Sequence, residues 1–112
     1  MADLKIRVAL LPIYKKWVAK QTNEVQEKIL EYTSRIEEGN TSNLKGLSGG
    51  IIEIKIHYGA GVRVYLKKKD ENCYIVLWGG TNKKSQQSDI DKAIKIKQNW
   101  EADENEKNEN KS

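Results

Sequence analysis

From residue 4 to residue 10 the chain alternates. Leu4, Ile6, Val8 and Leu10 fall on one side and Lys5 and Arg7 on the other, the period-two signature of a half-buried strand. Pro12 suits the first residue of a helix, where its missing N–H costs nothing. Residues 12–20 read as a short helix with Ile13, Tyr14, Trp17 and Val18 turned inward. In residues 23–38, Val25, Ile29, Tyr32 and Ile36 recur at steps of four, three and four, which gathers them on one helical face. Asn23 with Gln26 three residues on suits the start of that helix, and Gly39-Asn40 its end. So short a link between two helices predicts an antiparallel hairpin.

Residues 41–50, TSNLKGLSGG, are expected as loop. In 51–58, Ile52, Ile54 and Ile56 alternate with Glu53, Lys55 and His57. A turn at Gly59-Ala60-Gly61 leads to 62–67, where Val62, Val64 and Leu66 alternate with Arg63, Tyr65 and Lys67. After the turn KKKDEN, residues 73–78 are apolar or aromatic on both sides (Cys73, Ile75, Leu77; Tyr74, Val76, Trp78), which suits a strand covered on both faces. Gly79-Gly80 is expected to end it. Residues 86–100 read as a last helix packed through Ile90, Ala93, Ile94 and Trp100. The expected fold is α+β: an N-terminal strand, a two-helix hairpin packed on an antiparallel β-sheet of about four strands, and a C-terminal helix. Strand order is not encoded locally.

Composition narrows the class. The chain has 112 residues, enough for one modest core, and the single domain is expected at 1–100. Residues 101–112, EADENEKNENKS, carry five acids and two lysines, with Ala102 the one apolar side chain. They are expected to be a disordered acidic tail. With the tail at −3 and the whole chain at +4, residues 1–100 carry +7, a bias toward polyanions. One cysteine (Cys73) and one histidine (His57) can build neither an internal disulfide nor a Cys/His zinc site. No apolar run is long enough for a membrane span, and no secretory signal is legible. The expectation is a cytoplasmic protein without metal or cofactor.

The polar sheet face carries the candidate chemistry. Strand alternation gathers Lys5, Arg7, Glu53, Lys55, His57, Arg63, Tyr65 and Lys67, and Lys83 and Lys84 join from the loop after the third hairpin strand. Tyr65, with Tyr74 and Trp78, is expected to interleave aromatic rings with these cations, as single-stranded RNA surfaces do. The competing reading puts Tyr65 and Trp78 under the last helix and pairs Arg63 with Glu53 across the strands. Metal-free RNA cleavage needs a base for the 2′-hydroxyl, cations for the charge that builds on the phosphate, and an acid for the leaving 5′-oxygen. Arg63 and Lys55 suit the charge role. His57 suits proton transfer near neutral pH, a lysine crowded by cations can act as base, and Tyr65 can orient or donate. Cys73 reads as a small core residue.

The stretch Ile52 to Tyr65, IEIKIHYGAGVRVY, resembles the central hairpin of the RelE/ParE superfamily of toxins, and within it the HigB-like, phage-derived addiction-module killer branch. That branch reads E-L-R-I, a Gly-rich turn, G-Y-R-V-Y, an apolar strand, Gly-Gly, and K-x-x-Q-x-x-D-I-x-x-A. Tyr74 to Trp78, Gly79-Gly80 and Lys83 to Ala93 follow in the same order, and the Trp17 helix and the Arg35–Asn40 helix end fit upstream. The resemblance covers roughly residues 4–100. It implies a type II toxin that cleaves mRNA on the ribosome without metal or cofactor. Its partner would be a cognate antitoxin of helix-turn-helix type, through which alone it meets operator DNA. The matching catalytic candidates are Lys55, Arg63 and Lys84, with His57 and Tyr65 for proton transfer; Lys5, Arg7, Lys67, Lys83 and Trp78 are candidate RNA contacts. Lys55 stands where the branch usually has Arg, which gives up a bidentate fork. No His or Tyr follows the last helix. The alternatives are a ParE-like non-enzymatic inhibitor of DNA gyrase and a non-toxic nucleic-acid-binding phage accessory protein.

Overall fold

The computed structural model describes residues 5–109. Leu4, expected in the first strand, and residues 110–112 of the expected tail lie outside the described residues. Strand β1 (Arg7–Leu10) leads into helices α1 (Pro12–Ala19) and α2 (Asn23–Glu37). Four strands follow: β2 (Leu44–Gly46), β3 (Ile52–Ile56), β4 (Val62–Asp70) and β5 (Cys73–Gly80). Helix α3 (Gln86–Glu109) is the last element among the described residues.

The sheet has five strands in the order β1-β5-β4-β3-β2. It is antiparallel except that β1 runs parallel to β5, with Arg7 opposite Cys73 and Leu10 opposite Val76. The expected antiparallel sheet of about four strands, with the pairing of the first strand left open, thus gains a strand and a parallel edge. A parallel neighbour requires a long crossover, here the rest of the chain between β1 and β5. The additional strand is β2, inside the segment expected as loop. It is three residues long and ends in Gly46, so it carries no readable alternation. β4 continues to Asp70 because Lys68 and Asp70 pair with Tyr74 and Cys73, which shortens the expected KKKDEN turn to Glu71-Asn72.

One face of the sheet is covered by α1 and α2. Tyr14, Val25, Ile29 and Ile36 from the helices meet Ile54, Ile56, Val62, Val64, Leu66 and Val76 from the strands. Tyr74 joins this core and so faces away from the cations among which it was expected. Ile13, expected on the inner side of α1, is 39% exposed. The cap of α2 is Thr22, not Asn23: the Thr22 hydroxyl accepts from the Val25 N–H at 3.2 Å, and Gln26 instead bonds the Gln21 carbonyl. At its other end the Asn40 N–H bonds the Arg35 carbonyl at 2.9 Å, the closure expected around Gly39-Asn40.

The opposite face is covered by α3, whose Ala93, Ile90 and Ile94 pack with Ile51, Tyr65, Ile75 and Leu77. A bulge shifts the β4–β5 register between Tyr65–Trp78 and Leu66–Val76, skipping Leu77. The extra residue turns Trp78 onto the α3 face, as a bulge does. Gly79 and Gly80 then continue β5 instead of ending it. Each leaves room for one neighbour: a Cβ at Gly79 would overlap the Trp17 indole, and one at Gly80 the Asp89 carboxylate.

Helix α3 does not stop near Trp100. It continues to Glu109 through residues expected to be disordered. The Glu101 carboxylate accepts from Lys67 Nζ at 2.9 Å and from Lys97 Nζ at 3.0 Å, and the Lys67 ammonium lies 4.6 Å from the centre of the Trp100 ring. Composition alone could not show that one acid of the tail meets an inward-facing lysine.

Candidate nucleic-acid interface

The end of β3, the start of β4, the end of β5 and the start of α3 meet at one end of the sheet. Lys55 lies opposite Arg63, and Arg63 opposite Gly80. The hairpin turn between β3 and β4 is tied on two sides. Lys83 N–H bonds the Ala60 carbonyl at 3.0 Å, so the loop carrying Lys83 and Lys84 rests on the turn. The Tyr58 hydroxyl donates to the Glu24 carboxylate in the first turn of α2, and that bond is the main reason the phenol is held above its ordinary range. Asn82 organises the loop through its side chain, which accepts from Lys84 N–H at 2.9 Å. Lys55, His57, Lys83 and Lys84 are all exposed around this tip.

Beneath the tip lies a buried polar cluster. Arg63 is 3% exposed and Glu53 4%. Arg63 Nη1 donates to the Gly61 carbonyl at 3.1 Å, and Nε lies 3.8 Å from Glu53 Oε2. Glu53 Oε2 also accepts from Gln86 Nε2 at 2.9 Å. Tyr65, opposite Glu53 in the register, is fully buried. Burial first, and then the nearby Glu53 and Asp89 carboxylates, push its phenol above the ordinary tyrosine range. Asp89 is held by the Ser85 hydroxyl at 2.7 Å.

The predicted residues therefore divide. Lys55, His57, Lys83 and Lys84 come together at the tip, with Arg63 under the turn. Tyr65 does not join the exposed set: α3 seals it, and its raised pKa favours a retained proton. Lys67 is not an open RNA contact either, since it is spent on Glu101 and Trp100. Trp78 is half-buried, with Lys92 Nζ 4.0 Å over its ring and Trp17 6.2 Å away. Lys5 and Arg7 are exposed but sit at the far end of the sheet, because Arg7 pairs with the first residue of β5 and Arg63 with its last. At the usual rise per residue that is about 23 Å. The expected continuous polar face is thus reduced to its tip, because α3 lies across the rest.

Gln86, Asp89 and Ser85 received no role from sequence reasoning. Gln86 and Asp89 lie within the Q-x-x-D-I segment of the resemblance, which was the available signal. Among the described residues no group of three or more His, Cys, Asp or Glu could hold a metal ion. Among the described residues no helix is long and apolar enough to cross a membrane.

The architecture is the RelE-like fold: the free-state structure of an Escherichia coli toxin RelE mutant superimposes with a TM-score of 0.64 at 20% identity, covering 81% of this chain and 96% of that one. No protein-family model matches the chain. A protein of Haemophilus influenzae (strain Rd) described as uncharacterized is 33% identical over 91 residues, 80% of this chain and 91% of the relative. The chain belongs to the family of that protein.

Proposed function

We propose that the chain is the toxin of a type II toxin–antitoxin pair, of the HigB-like branch, and that it cleaves mRNA on the ribosome. The observation that carries this reading is the grouping of Lys55, His57, Lys83 and Lys84 around one hairpin tip above Arg63, on a RelE-like fold. Lysines at such a tip attract the RNA backbone and neutralise phosphate. His57, exposed at the tip, is the candidate for proton transfer. Arg63 supplies charge to the phosphate oxygens in the transition state; to reach them its Nη1 must part from the Gly61 carbonyl. The partners are a cognate helix-turn-helix antitoxin and ribosome-bound mRNA, with operator DNA met through the antitoxin, and the site of action is the cytoplasm.

A second reading, a ParE-like inhibitor of DNA gyrase, draws on the burial of Arg63 and Tyr65 under α3. Induced expression followed within minutes by mapping of mRNA 5′ ends separates the two. New in-frame cuts that vanish in Lys55→Ala and Lys84→Ala support the nuclease. Growth arrest with intact mRNA and altered plasmid supercoiling supports the gyrase reading. No arrest overturns both.

A further inference from the structure

We propose that Glu53 and Gln86 are positioning residues for Arg63: Gln86, the first residue of α3, aims the Glu53 carboxylate, and the carboxylate holds the Arg63 guanidinium beneath the hairpin turn. This rests on the reading above, in which Arg63 serves the scissile phosphate.

The geometry is specific. Glu53 and Arg63 side chains are 5% and 4% exposed, and their closest approach, Nε to Oε2, is 3.8 Å. That exceeds a hydrogen bond, and Arg63 Nε is buried without a partner. The guanidinium is therefore held by the charge of the carboxylate and by one bond to the Gly61 carbonyl. A buried guanidinium without that charge is strongly disfavoured, so the orientation of Glu53 sets where Arg63 rests.

Glu53 has competing neighbours. Lys45, exposed on β2, is its register partner on one side, and Tyr65 on β4 is its partner on the other. Asp89, the second carboxylate near Tyr65, is occupied by Ser85. Gln86 Nε2 binds the same Glu53 oxygen that faces Arg63, which keeps the carboxylate turned inward and away from Lys45. Gln86 lies two residues after Lys84, so the segment that offers cations to RNA also sets the arginine beneath it.

The test uses the full chain labelled with nitrogen-15. The Arg63 Nε–H signal is assigned by its loss in Arg63→Lys, with Arg7 and Arg35 as internal references. In the wild type this proton exchanges slowly with water. In Glu53→Gln and in Gln86→Ala it exchanges about tenfold faster or more, with circular dichroism unchanged; Glu53→Asp, which keeps the charge, loses less. In ribosome-dependent cleavage Gln86→Ala lowers kcat about tenfold and leaves KM within about twofold, the pattern of an interaction made in the transition state. Unchanged Arg63 exchange in both variants overturns the positioning role, whatever the activity. Faster exchange with unaltered kcat overturns its link to catalysis. A wild type that protects Arg63 yet cuts no RNA overturns the nuclease reading and supports the clamp as an arrangement of the fold.

Discussion

Under α1 and α2 the strands present Ile54, Ile56, Val62, Val64 and Leu66, and the layer between them is almost wholly apolar. Under α3 the same strands present Tyr65 together with Glu53, Arg63 and Lys67, all buried. Among the described residues, the buried side-chain atoms without a hydrogen-bond partner, Arg63 Nε, Tyr65 Oη and Trp78 Nε1, belong to residues on this second face. An apolar face is stabilised by area removed from water, an effect without direction, though its side chains must still fit. A face that buries charges depends on each partner being in position, since an unmatched buried group costs more than a matched one returns. Both faces bury apolar side chains, but only the second adds a buried charge pair, Glu53 with Arg63, to what must match.

The contrast is broken most sharply by removing one group from each side. Ile54→Ala should cost about 2–5 kcal/mol through transfer and cavity, and Glu53→Ala about 3–5 kcal/mol by stranding Arg63. Replacing both charges together, Glu53→Leu with Arg63→Met, should recover most of the second loss. No partner substitution should recover the first; urea unfolding of the four proteins decides. Next in size is Gly79→Ala, which drives a methyl into Trp17 and should lower stability by about 1–3 kcal/mol, a loss that Trp17→Leu should partly relieve in thermal melts. Tyr65→Phe removes a buried hydroxyl that has no partner and should be neutral or stabilising by up to about 1 kcal/mol. A clear loss would reveal a bond to Glu53 in solution.

The smallest effect concerns the end of α3. Lys67 first, and then Lys97, hold the Glu101 carboxyl below its ordinary 4.5. Its folded-state pKa is depressed, so its contribution is present above that ordinary value and is lost as pH falls through the lower folded value. Acidification below 4.5 should therefore loosen residues after Trp100 before the sheet, and Glu101→Gln should abolish that pH dependence while leaving the rest of the protection pattern intact. Amide hydrogen exchange along α3 measures both.

Much of this was legible from one dimension. Alternation at 52–56 and 62–66, and the four-three-four spacing in α2, are local signals. Each side chain's face follows from its position in a repeat, so β3, β4, β5, α2 and the apolar core could be read without knowing their neighbours. Lys55, His57, Lys83 and Lys84 were gathered from alternation and loop position alone, and their exposure follows from where α3 stops covering the face. What could not be read depends on partners distant in sequence. The parallel pairing of β1 with β5 moved Lys5 and Arg7 to the opposite end from Arg63. The bulge at Leu77 set the face on which Trp78 lies, and packing of α3 closed over Lys67; Tyr65 under the last helix is one of the two placements the alternation leaves open, and packing decided between them. Glu101 looked like any acid in a solvated tail until Lys67 lay beneath it. Local spacing determines which residues form an element and which way they point; only packing of one element on another decides whether the charges on that face meet solvent, RNA or each other.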